Sequence, residues 1–238
     1  MLLPGDPPNS FPPVEKALTD PDGLLAIGGD LSPERLVEAY RRGIFPWFDE
    51  DELPMWWAPA KRAVLYTDEL QCSKSLRKRL RNDHFTVSGN QCFEEVIRAC
   101  AVLRLNSGTW ITSEMFQAYN ELHRLGYAHS IETWQDDELV GGLYGVQLGG
   151  LFFGESMFST ASDASKVALV TLVDRCRTAG IPIIDCQQPS AHLARLGMRL
   201  ISRERFSEEL AAGLKQETDP AVWTFEPQPT KEPTAEPG

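Results

Sequence analysis

The chain has 238 residues and a formal net charge of -11, which argues against a general nucleic-acid coat, because affinity for phosphates comes from Lys and Arg. No apolar run approaches the roughly 20 residues needed to span a bilayer, so we expect no membrane segment. The first residues lack the basic region and apolar core of a signal peptide, which predicts a cytoplasmic protein. Five cysteines without CxxC spacing and four histidines without metal spacing predict neither disulfides nor a metal site.

The N-terminal part contains a helix start at residues 32–34, where Ser can cap, Pro fits the first position and Glu complements the helix dipole. Trp47, Trp56 and Trp57 follow in loop-like, proline-rich sequence. Most tryptophans are packing residues. Loop tryptophans beside prolines also form flat platforms on which a base can stack, so both interpretations stay open.

A strongly basic helix is predicted after a strand that begins at Arg62. Ser73 can cap this helix, and Leu76 and Leu80 recur at helical spacing, so we expect them to face the core. Its other faces carry Lys74, Arg77, Lys78, Arg79 and Arg81. A basic helix is often only a solvated surface, but its concentration of charge in an acidic chain favours a surface that follows phosphates.

The next stretch predicts two helices, the second capped by Thr112, and then an antiparallel hairpin that turns at residues 136–138. Near the C-terminus, a helix is expected from Ser207 to about Leu214. Residues 216–238 are rich in Pro and Glu, which predicts a C-terminal tail that is disordered from Pro227 onward.

Residues 151–188 are the most informative stretch. They predict a buried strand, a helix capped by Ser162 or Asp163, and a second buried strand, which together form a parallel βαβ unit. Because side chains alternate along a strand, one face of the first strand should carry Leu151, Phe153, Glu155 and Met157. One face of the second strand should carry Ile183, Asp185 and Gln187.

Two interpretations fit Glu155, Asp185 and Gln187, which are polar side chains in otherwise apolar strands. An unpaired buried carboxylate is costly, so these groups could form a structural hydrogen-bond cluster that ties the strands together. They could also form an acid/base site at the strand ends.

The order of hairpin, strand, helix, strand, helix and strand resembles the GNAT acyltransferase fold, in which two parallel strands splay apart around the acyl donor. This resemblance implies an α+β protein with a small N-terminal α/β domain at residues 1–60 and a GNAT-like acyltransferase domain with a mixed, splayed sheet at residues 61–215. The glycine loop that holds the pyrophosphate of acetyl-CoA is replaced by Phe158-Ser-Thr-Ala-Ser-Asp-Ala-Ser-Lys, so we do not expect CoA as the donor.

Several long motifs over residues 11–210 narrow the family further. They include Gly23-Leu-Leu-Ala-Ile-Gly-Gly-Asp-Leu, Tyr40-Arg-Arg-Gly-Ile-Phe-Pro-Trp-Phe, Gly154-Glu-Ser-Met-Phe-Ser and Ile184-Asp-Cys-Gln. Together they resemble the bacterial leucyl/phenylalanyl-tRNA–protein transferase family. The resemblance implies a monomeric enzyme without metal or cofactor. It would transfer Leu or Phe, and sometimes Met, from aminoacyl-tRNA to proteins that begin with Arg or Lys, marking them for degradation.

The resemblance also implies roles for the polar strand residues. Asp185 and Gln187 would be the catalytic pair, with Asp185 accepting the proton of the attacking amine, directly or through a relay. Gln187 would position the amine or the tetrahedral intermediate. Glu155 would orient this network and attract the basic N-terminal side chain of the acceptor.

The donor side needs a platform for the terminal adenosine and an apolar pocket for the aminoacyl side chain. By resemblance, Trp47 and Trp110 would hold the adenosine, with Tyr40 and Tyr119 nearby. The pocket candidates are Phe152, Phe153 and Met157, although Tyr40 and both phenylalanines also fit as core residues. The basic helix would hold the phosphates of the acceptor stem. Cys176 stands where an aromatic pocket residue is expected, which predicts a wider pocket.

Three other functions fit parts of the sequence. A Fem-type transferase also uses aminoacyl-tRNA, but such chains usually carry two GNAT-like halves. A noncatalytic tRNA-binding module would keep the basic helix and the tryptophans but would not need Asp185 and Gln187. An N-acetyltransferase is disfavoured by the missing pyrophosphate loop.

Overall fold

A computed structural model describes residues 1–3, 5–81, 85–104 and 111–232 of the chain. A small antiparallel sheet lies within its first 60 residues, with strand order β1-β3-β2. Its elements are β1 (Leu24–Ile27), α1 (Pro33–Arg41), β2 (Phe45–Pro46) and β3 (Met55–Trp57). The tryptophan segments expected to be loops are therefore partly strand, and Trp56 is fully buried, whereas Trp47 remains 42% exposed.

The rest of the described chain is built on one eight-stranded sheet. Its strands are β4 (Lys61–Tyr66), β5 (Phe85–Gly89), β6 (Ala128–Gln135), β7 (Glu138–Leu148), β8 (Leu151–Ser159), β9 (Ile183–Gln187), β10 (Arg199–Ser202) and β11 (Phe225–Pro229). Their order is β10-β4-β9-β8-β7-β6-β5-β11. Only the β8–β9 pair is parallel among these described strands, so the fold is mixed α/β with a large mixed sheet.

Helices cover both faces of the large sheet. They are α2 (Lys74–Arg81), α3 (Phe93–Arg104), α4 (Ser113–Arg124), α5 (Ala164–Thr178), α6 (Ala191–Ala194) and α7 (Arg203–Gly213). The apolar sides of α2 and α5 pack on one face, while α3, α4, α7 and the N-terminal elements share a continuous core on the other. None of the helices in the described ranges combines the length and apolar character that a membrane crossing requires.

Local hydrogen bonds account for several element boundaries that the sequence predicts. Ser73 Oγ accepts from the backbone N–H of Leu76, and Thr112 Oγ1 accepts from that of Met115, so both caps are confirmed. The βαβ unit is also confirmed, with α5 connecting β8 to β9. Asp163 occupies the position before α5, but its side chain bonds to Lys166 Nζ at 2.5 Å and caps nothing.

Two predicted boundaries near the C-terminus are wrong. Helix α7 begins at Arg203, four residues before Ser207, because Ser202 Oγ caps it by accepting from the N–H of Arg205. Disorder does not begin at Pro227, because residues 225–229 form β11 and pair with the edge of β5. A fully buried Trp223 anchors this segment by stacking on His129, with ring centroids 5.1 Å apart.

A β-bulge in β8 changes which side chains share a face. Tyr144 pairs with Ser156 and Gly145 pairs with Gly154, so Glu155 is the extra residue. The alternation therefore reverses beyond Glu155, and Met157 lies on the α5 face of the sheet. The prediction that Met157 shares a face with Phe153 and Glu155 is wrong for this reason.

Trp223→Ala is expected to lower the free energy of unfolding by about 3–5 kcal/mol, the usual cost of deleting a buried aromatic side chain. Trp47→Ala is the matched control, because that side chain is 42% exposed, and it should cost less than about 1 kcal/mol. Denaturant titrations followed by far-ultraviolet circular dichroism measure both values. Equal losses in the two variants would contradict the anchoring role of Trp223.

Candidate active site

The parallel strands β8 and β9 separate to form a cleft. They pair only from Leu151–Ile183 to Phe153–Asp185, and both continue beyond the last pair. A cavity of about 550 Å³ opens there, which is within the range of small-molecule sites. Its apolar lining includes Leu143, Met157, Leu169, Leu172 and Ile184 from the large sheet and α5. The small sheet contributes Phe45, Pro46 and Trp47.

Glu155 lines this cleft with a buried carboxylate that accepts three side-chain hydrogen bonds. Its Oε1 accepts from Tyr40 Oη at 2.8 Å and from Gln187 Nε2 at 2.6 Å. Its Oε2 accepts from Tyr119 Oη at 3.0 Å. The two tyrosine oxygens also lie within hydrogen-bonding distance of each other. Glu155 follows Phe153 by two residues, so ordinary alternation places its carboxylate on the strand face where Phe153 packs against Tyr40.

Burial raises the pKa of Glu155 to about 7, although its three hydrogen-bond donors oppose the shift and Asp185 adds to it. Burial and the nearby Glu155 raise the pKa of Tyr40 and of Tyr119 well above the usual range, so both phenols stay protonated. Within the described residues, no cationic side chain forms an ion pair with Glu155. This carboxyl group can therefore gain and lose a proton near neutral pH.

Asp185 has a different environment, because it forms a buried ion pair with Arg62. Arg62 Nε donates to Oδ1 at 2.8 Å and Nη2 donates to Oδ2 at 2.7 Å, while both side chains are almost fully buried. Oδ1 also accepts from the backbone N–H of Gln187 at 2.8 Å. The guanidinium group lies between the rings of Phe45 and Phe206, and Nη1 donates to the carbonyl of Gly43.

The Asp185 carboxylate determines where Gln187 points. Gln187 has a φ of 61°, which is uncommon for a residue other than glycine. Its register partner in β4 is Ala63, while Asp185 pairs with Val64, so Cys186 is the extra residue of a second bulge. Because Asp185 holds the backbone N–H of Gln187, the amide side chain reaches Glu155.

The predicted substrate residues divide into two groups. Trp47 and Met157 line the cleft. Phe152 instead packs near Trp223 at a centroid distance of 5.2 Å, and Phe153 packs near Tyr40 at 5.0 Å, so both belong to the core. Tyr40 and Tyr119 lie behind Glu155 and bond to it.

Two further expectations concern Trp110 and Cys176. Trp110 lies outside the described residues. Cys176 is a fully buried residue of α5, one turn beyond the cleft-lining Leu172, and it is not among the residues that line the cleft. The wider pocket therefore stays a prediction.

Helix α2 presents its charges at the surface beside α5. Leu76 and Leu80 are buried, and the exposed or half-buried cations are Lys74, Arg77, Lys78, Arg79 and Arg81. Arg79 Nε lies 3.9 Å from Oδ2 of Asp163, the residue that precedes α5. The first turns of α5 line the cleft. Arg81 pairs with Glu232 at 2.9 Å, so its charge is partly neutralised.

Sequence reasoning missed Arg62 and most of the apolar cleft wall. Ser165, Leu169 and Leu172 follow one another at helical spacing and all line the cleft, so this signal was available in the sequence. A charged residue inside the apolar β4 strand was the corresponding signal for Arg62.

Across the ranges that the structure describes, no cluster of three His, Cys, Asp or Glu side chains could hold a metal ion.

Known proteins similar to this chain include members of one well-defined group. Family models described as leucyl/phenylalanyl-tRNA protein transferase and as its N-terminal domain match residues 64–211 and 29–60. Proteins named leucyl/phenylalanyl-tRNA–protein transferase from Pseudomonas fluorescens and Stutzerimonas stutzeri are 55% and 56% identical to this chain. The first match covers 90% of this chain and 95% of the relative, and the second covers 86% and 91%.

A third relative with the same name, from Hydrogenovibrio crunogenus, is 51% identical, with 92% of this chain and 86% of the relative covered. Among solved structures, L-PGS from Bacillus licheniformis matches with a TM-score of 0.40 and 10% identity, over 69% of this chain and 53% of that chain. That likeness is too distant to assign a fold or a function.

Glu155→Gln is expected to change how stability depends on pH. Burial raises the pKa of Glu155 from 4.5 to about 7, so the folded state binds more protons than the unfolded state between these values. The stabilising contribution of this group is fully present below pH 4.5 and is lost as pH rises through about 7, a change of about 3 kcal/mol. The variant should lack this decrease in unfolding free energy.

Denaturant titrations between pH 4.5 and 8 measure the difference between the two proteins. Glu209→Gln is the matched control, because Glu209 also accepts a tyrosine hydroxyl, that of Tyr66, and it should behave as wild type. A constant difference between wild type and Glu155→Gln across the pH range would contradict a shifted pKa.

Proposed function

We propose that the cleft of this chain, which belongs to the leucyl/phenylalanyl-tRNA–protein transferase family, transfers the aminoacyl group to proteins beginning with Arg or Lys. The chain is an aminoacyltransferase that uses Leu or Phe carried by tRNA and acts on protein. Met is a third donor amino acid in the proposal, and the modified protein is marked for degradation. The buried Glu155, bonded by two phenols and an amide, is the observation that carries the proposed mechanism.

The chemistry requires removal of one proton. The aminoacyl ester on tRNA is already activated, so the attacking amine needs no ATP. An α-amine has a pKa near 8 and is largely protonated at pH 7. It must therefore be deprotonated before or during attack. A carboxyl group with a pKa of about 7 inside the cleft is well matched to that proton.

Glu155 is the proton acceptor in this proposal. The ion pair with Arg62 engages both oxygens of Asp185, and the backbone N–H of Gln187 occupies Oδ1 as well. Asp185 therefore acts as an anchor that positions Gln187 and transfers no proton itself. Gln187 holds Oε1 of Glu155, so both residues first expected to be catalytic support the third one.

Donor selection depends on the apolar wall of the cleft. Leu169, Leu172 and Ile184 can surround an aminoacyl side chain that is unbranched at Cβ, and Met157 adds an adaptable thioether. Shape selection of this kind discriminates by only about 1–3 kcal/mol per methylene, so Leu, Phe and Met can all be accepted. Trp47, which also lines the cleft, would stack with the terminal adenosine, together with Trp110.

Acceptor selection is supported by charge near the cleft. Glu155 provides one carboxylate inside it. Four exposed acidic residues, 49–52, form a loop that begins two residues after the cleft-lining Trp47. A negative surface raises the local concentration of a cationic partner, and an N-terminal Arg or Lys carries two positive charges when its amine is protonated.

The basic helix α2 would bind the acceptor stem of the tRNA through its phosphates. Its cations lie beside the N-terminal end of α5, so a bound stem would reach the cleft along α5. Contacts to phosphates carry little sequence information and weaken steeply with salt, which suits an enzyme that accepts several tRNAs.

The parallel strands that separate around the proposed donor site support a GNAT-like domain at residues 61–215, joined to a small domain at residues 1–60. The tail at residues 216–238 would begin beyond the catalytic domain and return to the sheet as β11.

Aminoacyl-tRNA is made in the cytoplasm, so the proposal places the enzyme there. One copy contains every group that the proposed reaction uses, which fits a monomer.

A transfer assay tests the proposal with labelled Phe-tRNA and three versions of one protein, which begin with Arg, Lys or Met. Label should move to the Arg and Lys versions and not to the Met version. An Arg version with an acetylated N-terminus is the control and should stay unlabelled, because it has no nucleophilic amine. Equal labelling of the Met version would contradict the acceptor rule. Binding of Phe-tRNA without any transfer would support a noncatalytic tRNA-binding module instead.

A further inference from the structure

Ser156 is a buried polar residue in the cleft that the network around Glu155 does not use. Its side chain is only 7% exposed, and its Oγ has no hydrogen-bond partner among the residues that the structure describes. It lines the cleft and directly follows the bulge residue Glu155. A buried hydroxyl without a partner is destabilising, so its position suggests that a bound molecule supplies the partner.

Other buried serine hydroxyls in the same sheet have hydrogen-bond partners within the protein. Ser88 Oγ donates to Glu132 Oε2 at 2.6 Å and accepts from Trp134 Nε1 at 2.8 Å. Ser130 Oγ donates to the other oxygen of Glu132. These hydroxyls are bonded within the fold, whereas the Ser156 hydroxyl is buried without a partner among the described residues, in a residue that lines the cleft.

The chemistry of an aminoacyl ester determines which group could be that partner. The ester offers a carbonyl oxygen, which accepts hydrogen bonds, and an α-amine, which is attracted to a carboxylate. Glu155 already provides the carboxylate, and the phenols of Tyr40 and Tyr119 are directed at Glu155. The hydroxyl of Ser156 forms no hydrogen bond with the described residues, so it is free to donate to the carbonyl oxygen.

We propose that Ser156 is a catalytic residue that donates a hydrogen bond to the carbonyl oxygen of the aminoacyl ester and stabilises the oxyanion formed there. This inference rests on the proposed aminoacyl transfer and adds a residue to it. A donor aimed at a developing oxyanion contributes more in the transition state than in the ground state, so its effect belongs to the rate of reaction.

The ammonium form of the acceptor first loses one proton to solvent. The neutral amine then attacks the ester carbon, a C–N bond forms, and the carbonyl electron pair moves onto the oxygen that accepts from Ser156. The proton of the amine passes to the carboxylate of Glu155. The oxyanion then collapses and the C–O bond to the ribose breaks. The ribose oxygen leaves with the proton that Glu155 held, and Ser156 keeps its own proton throughout.

Ser156→Ala tests this role by single-turnover transfer from Phe-tRNA to an Arg-starting protein. We expect the rate at saturating enzyme to fall on the order of 100-fold, with the Kd for Phe-tRNA within about 3-fold of wild type. The melting temperature of the free variant should be equal to or above that of wild type, because a buried hydroxyl without a partner has been removed. Ser156→Gly should show the same loss of rate.

Ser88→Ala is the matched control, because it deletes a buried serine hydroxyl that is bonded within the fold and remote from the cleft. It should lower the melting temperature and leave the transfer rate of the folded enzyme unchanged.

Two results would overturn the role of Ser156. One is a transfer rate within about 3-fold of wild type in both variants of Ser156. The other is a loss of rate that is fully explained by weaker binding of Phe-tRNA. Wild-type enzyme in the same assay reports on the proposed function separately, because its failure to transfer Phe would refute the reaction itself.

Discussion

The buried ion pair between Arg62 and Asp185 is the constraint on which the cleft depends. Arg62 enters the core between two phenylalanine rings and also reaches the carbonyl of Gly43, next to the small sheet. Removing one partner of such a pair leaves an uncompensated buried charge, which typically costs about 3–5 kcal/mol. The pair therefore connects the small sheet to β9 and holds the backbone that orients Gln187.

Two buried carboxylates, Glu155 and Asp185, acquire different roles from their environments. Arg62 compensates Asp185, whereas the described donors to Glu155 are two tyrosines and a glutamine, all neutral. Burial therefore raises the pKa of Glu155 to about 7. Opposite environments for neighbouring titratable groups are a common way to divide acid/base roles within one site. In the proposed mechanism, Asp185 is therefore a support and Glu155 exchanges a proton in the cleft.

Local patterns in the sequence predicted the βαβ unit, two helix caps and the three polar residues that meet at the strand ends. They did not predict the partner of Asp185, because Arg62 is 123 residues away in the chain. Alternation alone also misplaced Met157, since a bulge is set by pairing with β7 and leaves no mark in the periodicity of β8. Likewise, β11 is ordered through pairing with β5, a long-range contact that tail composition conceals.

The central claim is that Glu155 accepts the proton of the amine and Asp185 does not. Single-turnover transfer rates from pH 5.5 to 8.5 for wild type, Glu155→Gln and Asp185→Asn test it most directly. The ratio of wild-type to variant rates cancels the titration of the amine itself. We expect the ratio for Glu155→Gln to rise through pH 7 and reach on the order of 100 or more, and the ratio for Asp185→Asn to be independent of pH. A pH-independent ratio for Glu155→Gln, together with a ratio for Asp185→Asn that rises through pH 7, would contradict this proposal.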